Sequence, residues 1–504
     1  MADLAAVQSR ARNRPRLRTI EQIDGERHAS WLELFFDLVF VLAVSQVARV
    51  MSTTMDLPGF VKFAGLFVPV WWAWAGYTFY ADRFETEETI YRVLMFAGML
   101  TVVGLSLSLG GAFTPAGDAA FIGCYVLVRL VLVVLYARAA YYVPLARSFC
   151  LQFVVGLSIS SAVVLAALLL EPPLRYAVWA VAMALELSIP FVNPRTRRSI
   201  PIDRSHSPER LGLFTIIVLG EAVIDTATGA GSVGWNATTV TVASLGFAMA
   251  ACIWWINFDF VEDDAARSDS LPKWVIYLYG HFFIVASIVA TGIGVEHAIR
   301  ESGEPHLHAP ALMLIAGGVA VYLAVITAVR MVAGVCNLVY VRVMTIVLSL
   351  VLMFVGQFAP PVAVVLALFL VMVAGIWIET RYSPERSPDT EEREKTNHLA
   401  ACEHAGEARV HKARSLGCEE CIKNNYKWVH LRVCLSCGHV GCCDTSVNRH
   451  ATKHFHKTEH PIMASLEPGE HWSWCYADER FVPLTTPVKA VEGAVQDASK
   501  VTLG

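Results

Sequence analysis

The residues whose spacing carries the most chemistry lie near the C-terminus. They read Cys402-x-His404, Cys418-x2-Cys421, Cys434-x2-Cys437, Cys442-Cys443, His450-x3-His454-x5-His460 and Cys475. This stretch holds eight of the 12 Cys and nine of the 16 His. Eight cysteines alone could be a disulfide framework or a metal site. The interleaved histidines decide for metal, because imidazole forms no disulfide and binds zinc together with thiolate. Two Cys-x2-Cys pairs followed by spaced His are a strong zinc pattern. His450 and His454 share a face if their segment is helical. Thiolate ligands also need a reducing compartment. Zinc held by four protein ligands has no open position for water, so these sites are structural and not hydrolytic. No Ser-His-Asp set, phosphate-binding loop or dinucleotide glycine motif stands in a suitable context, so no enzyme is expected. Cys124, Cys150, Cys252 and Cys336 sit singly in apolar runs and read as small core hydrophobes.

A second group of residues could do chemistry because of where it sits. Glu33 and Asp37 are four apart inside an apolar run, and Glu221 and Asp225 repeat that spacing in another. Each pair lies on one helix face. Ionisable groups in hydrocarbon face a bundle interior and pair with one another. Arg129 is a candidate partner for these acids, as are Arg92 and Arg342. His281 and Glu296 add titratable groups in a third run. Two readings stand side by side. One is a cation or proton path, or a polar ligand site. The other is a set of buried ion pairs that fix helix packing.

The elements that position these residues follow from composition. The chain has 504 residues, 55% hydrophobic and 17% charged. Soluble domains run at about 25% charged, so a single soluble domain is excluded. A net charge of −4 gives no case for a nucleic-acid partner. Residues 1–30 are polar, with Arg10, Arg12, Arg14, Arg16 and Arg18 in alternation and no apolar core of a secretory signal. Residues 31–379 form apolar runs of roughly 20 residues, each long enough to span a bilayer as a helix. Twelve spans are expected: 31–51, 58–81, 90–112, 117–140, 149–170, 174–193, 209–229, 236–260, 272–298, 310–330, 336–356 and 360–379. Basic residues alternate between loops, with Arg83 and Arg92, Arg138 and Arg147, and Arg195 to Arg204 on one side. This places both termini in the cytoplasm. Trp71-Trp72 and Trp254-Trp255, each following a span with paired acids, suggest a repeat of six spans plus six. Residues 380–399 form a polar linker, and 483–504 a flexible tail.

Two resemblances then enter. Trp31-Leu-Glu-Leu-Phe-Phe-Asp-Leu-Val-Phe-Val41 and Glu209-Arg-Leu-Gly-Leu-Phe-Thr-Ile-Ile-Val-Leu-Gly-Glu221 resemble the signature segments of the bacterial low temperature requirement A (LtrA) membrane family, and His28 and His206 upstream of each also fit. The likeness covers roughly 25–380. It implies a multi-pass bacterial inner-membrane protein linked to growth in the cold. Residues 400–482 resemble the UBP-type zinc finger, which implies a small α+β zinc domain with two to three Zn2+ ions. In that family the ligands interleave. Carried over, one site uses Cys418, Cys421, Cys442 and His450, with Cys443 as an alternative to Cys442. A second uses Cys434, Cys437, His454 and His460. A third uses Cys402, His404 and Cys475, with Asp478 where the family has a cysteine. Trp474 and Tyr476 match the family's ligand pocket, but its arginine is replaced here in Cys442-Cys443-Asp444. An acid would repel a peptide carboxylate, so ubiquitin is not expected as the partner.

The expected molecule is thus an all-α polytopic membrane protein with a small α+β zinc finger at its C-terminus. The expected partners are the lipid bilayer and a protein or peptide bound by the finger. Two functions are carried forward: a cation, proton or small-solute transporter or channel regulated through the finger, and a membrane-anchored sensory scaffold.

Overall fold

Twelve helices, among the described residues, are long and apolar enough to cross a membrane. The computed structural model describes Pro15 and residues 29–84, 88–193, 206–260, 271–334, 336–382, 402, 404–410, 412–424, 426–443, 446, 448–466, 473–478 and 480–482. The expected linker lies outside these apart from its first residues, as do the tail 483–504 and most of 1–30. The chain divides into two units, Met1–Ser383 and Pro384–Gly504.

In the first unit the spans are α1 (Trp31–Thr53), α2 (Leu57–Ala81), α3 (Thr89–Ser108), α4 (Asp118–Tyr142), α5 (Arg147–Ala166) and α6 (Leu174–Ser188). They are followed by α7 (His206–Val233), α8 (Ala237–Phe260), α9 (Leu271–Arg300), α10 (Ala309–Ala333), α11 (Val339–Val355) and α12 (Pro361–Tyr382). Each expected span has a helix. Helical form follows from the medium, because in hydrocarbon the backbone must satisfy its own hydrogen bonds.

Local signals set the ends. Ser30 caps α1 by accepting from the Glu33 amide at 3.3 Å, and the Glu33 carboxylate accepts from the Ser30 amide at 2.7 Å. This reciprocal capping box ties down two orphan donors. Asp56 caps α2 by accepting from the Gly59 amide at 2.7 Å, with Pro58 in the first turn. Gly334 ends α10 at φ 96°, a left-handed conformation that glycine adopts without Cβ strain.

The two halves pack in the same order. Helix α1 packs on α2 and α3, α3 on α4, α4 on α5 and α5 on α6. Likewise α7 packs on α8 and α9, α9 on α10, α10 on α11 and α11 on α12. The halves meet where α7 and α9 lie against α1. Small residues permit close approach within the second half: a Cβ on Gly292 of α9 would lie 3.0 Å from the Cα of Ala222 on α7. The tryptophan pairs, in contrast, are not equivalent. Trp71 and Trp72 are buried, whereas Trp254 and Trp255 are 47% and 45% exposed.

The second unit is a five-stranded antiparallel sheet of order β2-β1-β3-β4-β5. The strands are β1 (Leu431–Cys434), β2 (Val440–Cys442), β3 (Ile462–Ser465), β4 (Ser473–Cys475) and β5 (Arg480–Val482). Two short helices, α13 (Glu419–Asn424) and α14 (His450–Thr458), accompany it. Its buried apolar core is small, centred on Val433, Leu435, Val440, Ile462 and Ala464. A core of that size needs a further stabiliser such as metal.

Candidate metal centres and buried charge clusters

The zinc module brings its ligands together from separate elements. Cys418 and Cys421 flank the start of α13, Cys442 ends β2 and His450 begins α14. His450 Nδ1 lies 3.2 Å from both Cys418 Sγ and Cys421 Sγ and 3.4 Å from Cys442 Sγ. Cys421 Sγ and Cys442 Sγ are 3.9 Å apart. A tetrahedral zinc with ordinary bond lengths separates its ligands by about 3.5 Å for S···N and about 3.8 Å for S···S. A disulfide would need sulfurs at about 2.05 Å, and all described cysteines are free. Cys443 is directed elsewhere, with Ser446 Oγ at 3.4 Å. Geometry thus selects Cys442, where sequence left both open.

Cys434, Cys437, His454 and His460 form a second group, and Cys402, His404, Cys475 and Asp478 a third. Within each of the three groups the ligand atoms lie within 4.8 Å of one another. In the third, Asp478 Oδ2 is 3.1 Å from His404 Nδ1, so the carboxylate stands where the family's last cysteine would. Helix α14 joins the first two sites, because His450 and His454 are one turn apart on it.

The electrostatics suit a cation in each. Burial, then the neighbouring Asp478 and Cys475, pushes the Cys402 thiol up to about 12. Burial pushes Cys434 up to about 11. Buried thiolates packed together repel, and a divalent cation removes that penalty. Burial, then His439 and His460, lowers His454 to about 4, which leaves its imidazole neutral with a lone pair to donate. His439 stacks on His454 with ring centroids 4.1 Å apart and 4° between planes. Its Nε2 lies 2.9 Å from Glu420 Oε1. This Glu420–His439–His454 arrangement orients a ligand from behind. Sequence reading missed it, although His439 beside a Cys-x2-Cys pair was a signal.

Tyr476 stacks on Phe455 of α14 at 5.3 Å, and Trp474 is half-buried on β4. Asp444 lies outside the described residues.

In the membrane unit none of the three candidate arginines pairs with the α1 or α7 acids among the described contacts. Arg129 pairs with Glu186 of α6 at 2.6 Å, both wholly buried, and donates to Tyr125 Oη at 2.7 Å. Arg92 is exposed. Arg342 pairs with Glu379 of α12 at 2.9 Å, and Arg330 of α10 reaches the same carboxylate at 2.5 Å. Each half therefore has an arginine on its fourth helix bound to a glutamate on its sixth. The partner of Asp37 is Arg210 on α7, at 2.5 Å, with Glu33 3.4 Å from the same guanidinium. Trp74 Nε1 donates to Asp37 Oδ1 at 2.8 Å, and its ring stacks on Phe214 at 4.2 Å. His281 bonds with Thr215 and the Leu211 carbonyl nearby. Arg210 stood inside the second signature segment, but no spacing rule shows that α7 abuts α1.

Glu221 and Asp225 do not join Asp37. Eight residues of α1 separate Asp37 from Ser45, about 12 Å along the helix. Ser45 and Arg49 of α1 are the polar and cationic groups that face the Glu221 carboxylate. On α9, Glu296 accepts from Ser52 at 3.1 Å and pairs with Arg300 at 2.5 Å. His297 Nε2 is 3.2 Å from Ser52 Oγ. Asp225 lies between these, acted on by Glu221 and Glu296 of like charge and by Arg49. It is 9% exposed, and its Oδ2 is buried with no hydrogen-bond partner. A separate cavity of about 940 Å³, lined by apolar groups such as Phe60, Phe282 and Met313, touches none of these carboxylates.

Comparison with known proteins agrees with both units. The family model of bacterial low temperature requirement A protein (LtrA) matches residues 28–377. The model of the Zn-finger in ubiquitin-hydrolases and other proteins matches residues 418–486. An uncharacterized protein of Rhizobium meliloti (strain 1021) is 30% identical over 288 residues, covering 54% of this chain and 69% of that protein. The NAD-dependent deacetylase sir2A of Dictyostelium discoideum is 38% identical over 68 residues, 14% of this chain and 12% of that protein. The BRCA1-associated protein of Homo sapiens is 40% identical over 65 residues, 13% of this chain and 10% of that protein. A solution NMR structure of a Rhodopseudomonas palustris protein is 47% identical, covering 18% of this chain and 94% of that one, with a TM-score of 0.16. The chain belongs to the bacterial low temperature requirement A (LtrA) family of membrane proteins and carries a UBP-type zinc finger at its C-terminal end.

Proposed function

We propose that the membrane unit is a cation or proton transporter or channel, and that the zinc module is its protein-binding regulatory domain. One observation carries the transport reading. Glu221, Asp225 and Glu296 gather where α1, α7 and α9 meet, at the seam between the halves, and Asp225 has an unpartnered carboxylate oxygen. Packing does not need such a group: the buried acids Glu33, Asp37, Glu186 and Glu379 are each paired with arginine. Charge that is unbalanced inside a bilayer domain marks an ion pathway more often than a packing contact.

The module holds three zinc ions in this reading, one for each four-ligand group. Closed ligation gives it no hydrolytic chemistry. Its role is recognition of a protein partner, with Trp474 and Tyr476 at the contact surface. The alternation of basic loops supports an inner-membrane orientation with both termini in the cytoplasm.

Flux in proteoliposomes tests the reading. Wild type should pass Na+, K+ or H+ under an imposed gradient, and Glu221→Gln should pass it several-fold more slowly. Absence of flux for all three ions would favour the membrane-anchored scaffold, whose remaining activity is partner capture by the finger.

A further inference from the structure

We propose that Asp225 is a proton-binding carboxyl, so that the charge exchanged at the α1–α7–α9 seam is a proton and not a metal ion. This rests on the transport reading and names its substrate.

Four observations lead there. First, Asp225 lacks the arginine pair that four other buried acids have. Asp37 and Glu33 face Arg210, Glu186 faces Arg129 and Glu379 faces Arg330 and Arg342. The cation acting on Asp225 is Arg49, which is exposed. Its Oδ2 is buried with no hydrogen-bond partner. A carboxyl in that position becomes neutral and compatible with hydrocarbon when it carries a proton.

Second, its charged and titratable neighbours are Glu221 on its own helix, Glu296 on α9 and Arg49 on α1. Three acids, Glu221, Asp225 and Glu296, against Arg49 and the Arg300 that pairs with Glu296, both exposed, leave negative charge that a bound proton reduces. Third, a metal ion is poorly served. Among the described residues, the sets of acid, Cys and His atoms close enough to share one ion all lie in the zinc module. Glu221, Asp225 and Glu296 do not form such a set. Fourth, α9 leaves room beside the carboxylate. A Cβ on Gly292 would sit 2.9 Å from Asp225 Oδ2. Glu296, Ser52 and His297 then continue as hydrogen-bonding groups toward the last turns of α1 and α9. Arg300 lies at that end, 43% exposed.

Full-length protein in detergent is treated with dicyclohexylcarbodiimide, which reacts with the protonated form of a carboxyl in an apolar setting, and labelled peptides are identified by mass spectrometry. Asp225 should be labelled at mildly acidic pH, with the label falling several-fold as pH rises. Glu221→Gln removes a neighbouring negative charge and should shift that profile to lower pH. Asp37, locked to Arg210, should stay unlabelled throughout. Asp225→Glu keeps the carboxyl and checks that substitution leaves the protein folded; Asp225→Asn should abolish the label at this site alone. No label on Asp225 at any pH, in protein that remains monodisperse, overturns the inference. So does protection by added Na+, K+ or Ca2+ at constant pH, which would reveal a metal-cation site. Labelling of Asp225 without flux in proteoliposomes would support the proton site and defeat the transport reading. Flux with an unreactive Asp225 would do the reverse.

Discussion

Removal of Arg210 should be among the most damaging single changes in the membrane unit. Its guanidinium reaches Asp37 at 2.5 Å and Glu33 at 3.4 Å, and both acids are 0% exposed. Arg210→Ala removes the guanidinium from two carboxylates in the seam between α1 and α7; the Trp74 indole still donates to Asp37 and the Ser30 amide to Glu33. Breaking a buried pair by removing one partner costs about 3–5 kcal/mol. At the roughly 2 °C per kcal/mol found for large domains, the midpoint should fall by about 6–10 °C. Thermal unfolding of detergent-solubilised protein reads this, followed by tryptophan fluorescence because Trp74 stacks on Phe214 at the cluster. The triple variant Arg210→Met with Asp37→Leu and Glu33→Gln removes the charges together. It should recover most of the loss, because apolar replacement of a whole buried pair is near neutral. A fall below about 1 kcal/mol for Arg210→Ala, the level of an exposed pair, would refute the reasoning. A triple variant no better than the single one would refute it equally, by showing that the charges serve more than packing.

Three further outcomes follow from the zinc module. Metal analysis should give three Zn per chain; Asp478→Ala should lose one, while Cys421→Ala should lose two, because His450 and His454 share α14 and ligation is folding energy in such modules. Zinc affinity should fall as pH falls, since burial raises the free thiols of Cys402 to about 12 and Cys434 to about 11; these are neutral at pH 7, zinc must displace their protons, and calorimetry in two buffers should show that proton release. His439→Ala should weaken the second zinc site about 10–100-fold through loss of the stack on His454, as read by competition with a chelator.

Much of the fold could be read from composition by position. Apolar runs of roughly 20 residues admit one solution in a bilayer, which is why the twelve helices match their expected spans. The zinc groups were legible for a similar reason, since thiolate and imidazole at fixed spacings have few other uses. What stayed hidden was pairing across distant sequence. Arg210 and Asp37 are 173 positions apart, and Arg129 is joined to a glutamate on α6 that lies within an Ala-Leu-Glu-Leu run. Acids at matching spacings suggested one shared site; the structure puts Asp37 and Glu221 about two turns apart along α1 with different partners. Likewise Cys442 and Cys443 differ only in which side of the chain they face, a property no spacing rule contains.

The most direct test sets the two acidic clusters against each other in one assay. Charge movement is recorded on a solid-supported membrane after a pH jump, with wild type, Glu296→Gln, and the paired variant Asp37→Asn/Arg210→Gln. A current in wild type and in the paired variant, reduced several-fold in Glu296→Gln, is the predicted result. A current lost with the Asp37–Arg210 pair and unaffected by Glu296→Gln would place the pathway at the wrong cluster and contradict the assignment of the α1–α7–α9 seam.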